Sequence, residues 1–378
     1  MIETNRQNDS TYFFNNIRAT VVLLVILLHV VLAYSANSDK WWIVVDNQKS
    51  VIADILAGSL DIMLMCILFF IAGYFAYPSF MKCNSLQFFI KKIKNLMFPW
   101  LMGVLFLNPF LVNVIQFQRD NNIALISNTL SYYKQMIIQD RSGSQNFFSH
   151  YHFWFLSLLF YFFFGFILFK KIHHIRKNVV KSFVTDIILL VIISSLGYFL
   201  FYSLFEDKWF AISIIQFQIS RIIPYIAFFI FGVRSYSNGW IYKMSTLRKP
   251  LIHLTISIGF TLLYLLFYVY VNSQNSSLLL LSISFMRYLI CTYYLLIFLS
   301  IGKQFFDTKT FFSDILSRYS FGVYVIHLDM TILFSIIFIR MNQISPEIKI
   351  VFVFILTVIT SYIIVISYNK IRRKIQLH

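Results

Sequence analysis

Apolar residues in this chain are gathered into ten long stretches, separated by short polar or charged segments. Each stretch approaches the ~20 residues that a helix needs to cross the hydrocarbon of a bilayer. Because backbone polar groups must be satisfied inside the bilayer, the pattern predicts helices. We therefore expect an all-α polytopic transmembrane helical bundle, one domain over residues 1–378 with no separate soluble domain. The predicted spans are approximately 17–35, 52–77, 97–117, 152–170, 183–204, 209–232, 251–272, 278–302, 320–339 and 350–368.

The segments between these spans alternate strictly between those rich in Lys and Arg and those poor in them. With a cytoplasmic N-terminus, 21 of the 32 Lys and Arg fall in inside segments and 8 fall in outside segments. Such an excess is the positive-inside signal of topology, so both termini are predicted to be cytoplasmic and the protein to be multi-pass in a bacterial plasma (inner) membrane. The longest connection, about residues 118–151, is predicted to lie outside, as a cap over an outer cavity.

Composition agrees with a membrane lipid environment: 59% of residues are hydrophobic, 12% are charged, and the mean hydropathy is +0.73. A soluble protein of this size could not cover that much apolar surface. The net charge of +17 does not indicate nucleic acid, because the basic residues cluster between spans. Neither the three cysteines nor the histidines have metal-ligand spacing within a span, so we expect no metal and no permanently bound cofactor. The polar, weakly basic N-terminus argues against a cleaved signal peptide.

The first span carries an arginine and a histidine, Arg18 and His29. Eleven residues at about 100° each bring both side chains to one face of a helix, about 16 Å apart along its axis. Arg18 could be an interfacial anchor, and His29 could be a buried structural histidine. Ionisable groups inside a span are costly and usually functional, and here they suggest a polar path into the bilayer.

Other spans contain further candidates. Arg221 and Arg287 are predicted to lie deep in the sixth and eighth spans, around a cavity or paired with a carboxylate such as Asp61. His327 is predicted about seven residues into the ninth span, either as a structural histidine or as a functional one. His152 and Trp154 are predicted at the outer edge of the fourth span. Trp154 is either an interfacial belt residue or a platform on which a sugar stacks.

Five segments, in order, resemble the bacterial acyltransferase 3 family of integral membrane O-acyltransferases. The segments are Tyr12–Ala19 leading to His29, Phe69–Phe75, His152–Leu156, Tyr225–Gly232 and Ser320–His327. In the second segment, Ala72 stands where the family usually has serine. The resemblance covers most of the chain and is nearest to members that succinylate periplasmic glucans.

The family usually has an Arg-x-x-Arg pair before a Leu-x-x-Pro segment. Here the segment is 91–99: aligned on Pro99 the pair becomes Lys92 and Asn95, and shifted by one residue it becomes Lys91 and Lys94. Lysine keeps the charge but not the bidentate fork that grips phosphate. The resemblance implies Arg18, Lys91, Lys92 and Lys94 as donor-binding residues.

The resemblance also implies transfer of an acetyl or succinyl group from an acyl-coenzyme A donor to a hydroxyl of an envelope carbohydrate or glycolipid. His29 would then be the general base. The alternative is a transporter or flippase without covalent chemistry, since buried Arg and His also line substrate paths. Related halves and broken helices, typical of transporters, are not found in the sequence.

Overall fold

The protein is described from a computed structural model. The structure describes residues 12–38, 41–120, 129–130, 133–134, 150–172, 182–212, 215–272, 274 and 276–375. Most of the predicted outer cap, 118–151, lies outside the described residues.

The described part of the chain contains ten helices that are long and apolar enough to cross a membrane. This confirms the predicted all-α bundle of about ten spans. The helices are α1 (Tyr12–Val31), α2 (Val51–Met81), α3 (Ser85–Val114), α4 (Trp154–Ile172), α5 (Phe183–Phe205), α6 (Ile222–Ser237), α7 (Pro250–Asn272), α8 (Ser277–Phe305), α9 (Phe311–Ile339) and α10 (Pro346–Ile375).

The predicted sixth span, 209–232, was wrong in its first half. Strands β1 (Trp209–Ile212) and β2 (Ile215–Gln218) pair as an antiparallel hairpin, and a 3₁₀ turn leads from it into α6. The apolar run continues through hairpin and helix, so hydropathy alone could not separate them. Arg221 therefore lies at the beginning of a helix and not deep inside a span.

Helix α3 begins well before the predicted span 97–117, so the lysine segment lies within the helix. Two π-helical segments, Ile93–Met97 and Gly103–Leu107, interrupt its α-helical hydrogen bonding, on either side of Pro99. Proline cannot donate the hydrogen bond of a regular helix, and wider turns accommodate this.

Close packing of α2 on α6 forms the centre of the bundle. A Cβ atom on Gly73 would overlap the carbonyl oxygen of Phe229, and one on Gly232 would overlap that of Phe70. Each backbone thus fills the space where the other helix has no side chain, as small residues allow in membrane helices. The glycines of the two family-like aromatic segments therefore have a packing role.

Helix α1 lies against α9 and runs parallel to it. The Asn16 side chain donates to the carbonyl of Phe306 just before α9, and thirteen residues later His29 contacts His327. This parallel arrangement brings the C-terminal end of α1 to the same level as the second half of α9, and it creates the candidate site.

Candidate functional site

His29 and His327 form a hydrogen-bonded pair between α1 and α9. The His29 Nδ1 and His327 Nε2 atoms are 2.9 Å apart, and the ring planes are tilted by 22°. His327 is fully buried, whereas His29 is half-buried. The buried His327 ring therefore holds the more accessible His29 ring by a hydrogen bond.

The hydrogen bonds determine which nitrogen carries each proton. His327 Nδ1 lies 2.6 Å from the carbonyl oxygen of Tyr324, which can only accept, so Nδ1 is the protonated nitrogen. In neutral His327, Nε2 then accepts from the Nδ1–H of His29. Neutral His29 consequently has a bare lone pair on Nε2, which is the atom that a general base needs.

A third histidine, His152, lies beside this pair at the beginning of α4. Its ring is 4.9 Å from the His327 ring, edge to face, and its Nε2 donates to the carbonyl of Val325 at 3.0 Å. The Tyr324 hydroxyl donates to the carbonyl of His152, so Tyr324 contacts both His152 and His327. The structure thus brings together His29, His152 and His327, which the sequence presented as separate candidates.

Two of the histidines lie at other positions along their helices than the predicted spans imply. His29 is the third residue from the end of α1, because the helix begins at Tyr12 and ends at Val31. His327 lies sixteen residues beyond the start of α9 because that helix begins at Phe311. Helix α1 ends before its predicted span does, at Val31, whereas α9 begins before its predicted span, with a first turn capped by Thr310.

Trp42 covers one face of His29. The two rings are parallel within 7°, with centroids 5.5 Å apart. The segment that carries Trp42 is fixed farther along by Asp46, which forms a fully buried ion pair with Lys349 of α10 at 2.7 Å. Gln48 also accepts from Lys349, at 3.2 Å. These contacts hold the loop in place beside His29.

Arg18 lies at the other end of α1. Its Nη2 donates to the carbonyl of Ser317 at 3.2 Å, and the side chain is exposed. Arg18 and His29 both contact α9, which confirms the prediction that they share one face.

The lysines of α3 do not share one environment. Lys91 and Lys94 are exposed, whereas Lys92 is half-buried with its Nζ 3.7 Å from the centre of the Phe163 ring. The three lysines of the predicted donor-binding set therefore divide into two exposed ammonium groups and one that makes a cation–π contact.

Arg221 and Arg287 converge on Asp61 of α2 and make no described contact with the histidines. Arg221 binds both carboxylate oxygens, at 2.5 and 2.7 Å, and Arg287 binds one at 2.9 Å. Arg287 also donates to the Tyr264 hydroxyl. The predicted pairing with Asp61 is correct, and it forms a cluster of charges separate from the histidines.

Trp154 packs between two aromatic rings. It stacks on Tyr225 at 5.9 Å and meets Trp209 of the β-hairpin edge to face at 5.7 Å. It is thus part of the packing that attaches the hairpin to the bundle.

Several residues of the site were not found from the sequence. His29 and His327 are 298 positions apart in the sequence, so their spacing could not predict that they pair. Little in the sequence distinguishes Tyr324 and Trp42 from other aromatic residues. The adjacent Trp41 and Trp42 after the first span were the one available signal. Among the described residues, no group of three His, Cys, Asp or Glu side chains is arranged to hold a metal ion.

The fold and the site thus define a multi-pass membrane protein with a histidine cluster between its apolar helices. The chain belongs to the acyltransferase 3 family: the family's acyltransferase-domain model matches residues 11–366. The protein is therefore a membrane acyltransferase. Comparison with curated proteins and with solved structures gives no significant match.

Proposed function

We propose that this acyltransferase moves an acetyl or succinyl group from an acyl-coenzyme A donor to a hydroxyl of an envelope carbohydrate or glycolipid, in the bacterial inner membrane. His29 is the general base. The observation that carries the proposal is the hydrogen-bond chain from the Tyr324 carbonyl through His327 to His29, because it leaves the accessible Nε2 of His29 unprotonated.

In the proposed reaction His29 Nε2 takes the proton of the acceptor hydroxyl as its oxygen attacks the thioester carbonyl. A C–O bond forms and the C–S bond breaks. The leaving thiolate of coenzyme A then takes the proton from the His29 imidazolium, so the enzyme returns to its starting state. Neutral His327 accepts from the imidazolium Nδ1–H and stabilises the intermediate cation.

The donor is proposed to approach from the opposite end of the bundle. Arg18 is six residues into α1, and Lys91 is six residues into α3; these two helix starts lie at the same end because α2 connects them across the bundle. Arg18, Lys91 and Lys94 offer exposed positive charge to the phosphates. About 16 Å separates Arg18 from His29, a distance that an extended pantetheine arm can span.

Family membership sets aside the alternative of a transporter or flippase without covalent chemistry. In the proposed function, the acyl-coenzyme A donor still reaches part of the way across the bilayer, and the acyl transfer takes place at His29.

The test combines labelling with a variant. Envelope glycans are labelled with radioactive acetate or succinate in cells that have the wild-type protein, its His29→Ala variant, or neither. We expect label only with the wild type, since loss of a general base typically costs about 10² to 10⁴ in rate. The variant must be present in the membrane at wild-type amounts. Wild-type labelling with His29→Ala would contradict the proposed role of His29, and equal labelling without the protein would contradict the proposed acceptor.

A further inference from the structure

Three buried polar atoms, one on His152 and two on the part of α9 that follows His327, have no hydrogen-bond partner among the described residues. They are His152 Nδ1, Thr331 Oγ1 and Ser335 Oγ. Their residues are 5%, 1% and 2% exposed. Buried polar atoms in folded proteins are nearly always paired with protein, water or ligand, so a group of unpaired ones indicates a missing polar partner.

One of these atoms belongs to a residue that contacts His327, and the other two belong to residues that follow His327 along α9. Thr331 is one helical turn beyond His327 and about 40° from its direction, and Ser335 is a second turn beyond, about 80° from it. His152 lies against the His327 ring from α4. Thr331 and Ser335 therefore lie on the buried side of α9, between His327 and the end of the helix at Ile339.

Most hydroxyls in this bundle are satisfied differently. Ser284, Thr292 and Ser235 are as deeply buried, and each donates to the carbonyl four residues earlier at 2.7 Å. Back-bonding of this kind is the usual solution in a membrane helix. Thr331 and Ser335 do not use it. Ser194, Thr357 and Ser361 also have no described partner, but they lie on α5 and α10, which contribute no residue to the histidine cluster.

The chemistry of the three atoms defines the ligand. His152 Nε2 donates to Val325, so Nδ1 of the neutral ring can only accept, while the two hydroxyls can donate or accept. None of the three is charged. Asp329 is buried without a partner as well, but it is two residues from both His327 and Thr331 and faces another side of α9.

We propose that His152, Thr331 and Ser335 form a hydroxyl-binding subsite that holds a neutral polyhydroxylated acceptor beside the hydroxyl activated by His29. The inference rests on the proposed function and adds to it the chemical class of the acceptor and the residues that bind it. A neutral sugar matches the site, because neighbouring hydroxyls can donate to Nδ1 and exchange hydrogen bonds with both side chains. An amino or acidic sugar would bury an unpaired charge there.

The first test asks which glycans are modified. Glycans extracted from the envelope of cells lacking the protein are separated by ion exchange into neutral, acidic and basic fractions. Each fraction is incubated with membrane vesicles containing the wild type and radioactive acetyl- or succinyl-coenzyme A. Label in the neutral fraction is expected. Label confined to a charged fraction would overturn the subsite while leaving the proposed function intact, and no label in any fraction would contradict both.

The second test removes single oxygen atoms. Thr331→Val and Ser335→Ala, combined, should raise the half-saturating acceptor concentration about tenfold, the effect of losing one or two hydrogen bonds. Half-saturation by acyl-coenzyme A should stay unchanged. The matched control combines Thr292→Val and Ser284→Ala, which remove equally buried hydroxyls that are bonded within α8. An unchanged acceptor requirement in the Thr331 and Ser335 variant, or an equal rise in the control, would overturn the proposal.

Discussion

A histidine is an unusual partner for a proposed catalytic histidine, since a carboxylate more often orients such a ring. His327 can do so without bringing a negative charge into the bilayer, where an unpaired charge is costly. Its own orientation is fixed locally, three residues away, by the Tyr324 carbonyl. The Tyr-x-x-His spacing of the family-like segment therefore has a physical reason: one residue determines the tautomer of the other.

His327 should act through His29 and not on the donor. His327→Ala should lower the rate at saturating substrate by about tenfold or more, because His29 then loses its fixed tautomer. His327→Gln should recover part of this rate, since an amide can donate to Tyr324 and accept from His29. Both are measured as steady-state rates and half-saturating donor concentrations in nanodiscs. Equal loss in both variants would mean that His327 is needed only for packing.

The three lysines of α3 should behave differently from one another. Lys91→Ala with Lys94→Ala should raise the half-saturating acyl-coenzyme A concentration, because both ammonium groups are free to meet phosphate. Lys92→Ala should leave that concentration unchanged and lower the melting temperature slightly, since a cation–π contact contributes about 0.5–2 kcal/mol. Kinetics and thermal unfolding of the same preparations separate the two effects. A donor effect confined to Lys92 would reverse this assignment.

At the residue scale the sequence could supply candidates but not their partners. His29 and Arg18 were predictable because they stand on one helix, where spacing determines the shared face. The contacts of His29 with His327 and Trp42 depend on how separate elements pack. Arg221 shows the opposite case: its partner Asp61 was foreseen, while its position at a helix start was not.

At the scale of elements, apolar length predicted helices well and their ends poorly. The ends of α9 and α10 extend beyond the apolar segments, because polar first turns such as Thr310–Asp314 are capped and continue the helix. The β-hairpin before α6 was missed because its apolar residues were assigned to the span that follows, although apolar residues alternate with Gln216 and Gln218 in β2, as is typical of a strand. Hydropathy measures the preference for lipid, and it does not measure which backbone groups pair.

The contact of α2 with α6 should tolerate no side chain at its glycines. Gly232→Ala would push a methyl group into the Phe70 carbonyl, so the helices must separate, at a cost of roughly 1–3 kcal/mol. We expect a lower melting temperature in detergent. Gly259→Ala on α7 is the matched control, because nothing lies within 4 Å of its Cβ. If both variants melt at the same temperature, the close approach of the two helices is not as described.

At the scale of the whole molecule, the order of the helices determines which end holds the chemistry. The end of α1 and the beginning of α2 lie at the same end of an alternating bundle as the end of α3 and the beginning of α4. His29, at the end of α1, and His152, at the beginning of α4, are therefore near the end that the charge pattern predicts to be outside. The exposed Arg18, Lys91 and Lys94 lie near the other end. With the predicted topology, the proposed donor and acceptor sites would face opposite compartments.

The predicted topology can be tested with single cysteines in a background where Cys66, Cys83 and Cys291 are replaced. Lys134→Cys should react with an impermeant maleimide in intact cells, whereas Lys243→Cys and Lys374→Cys should react only after permeabilisation. All three lysines are exposed, so their reactivity depends on the compartment and not on burial. The expectation follows from the 21-to-8 excess of basic residues in the predicted inside segments. A cytoplasmic residue 134 would place the histidines on the donor side. It would thereby remove the basis for transfer across the membrane, because acyl-coenzyme A could then reach His29 without passing Arg18.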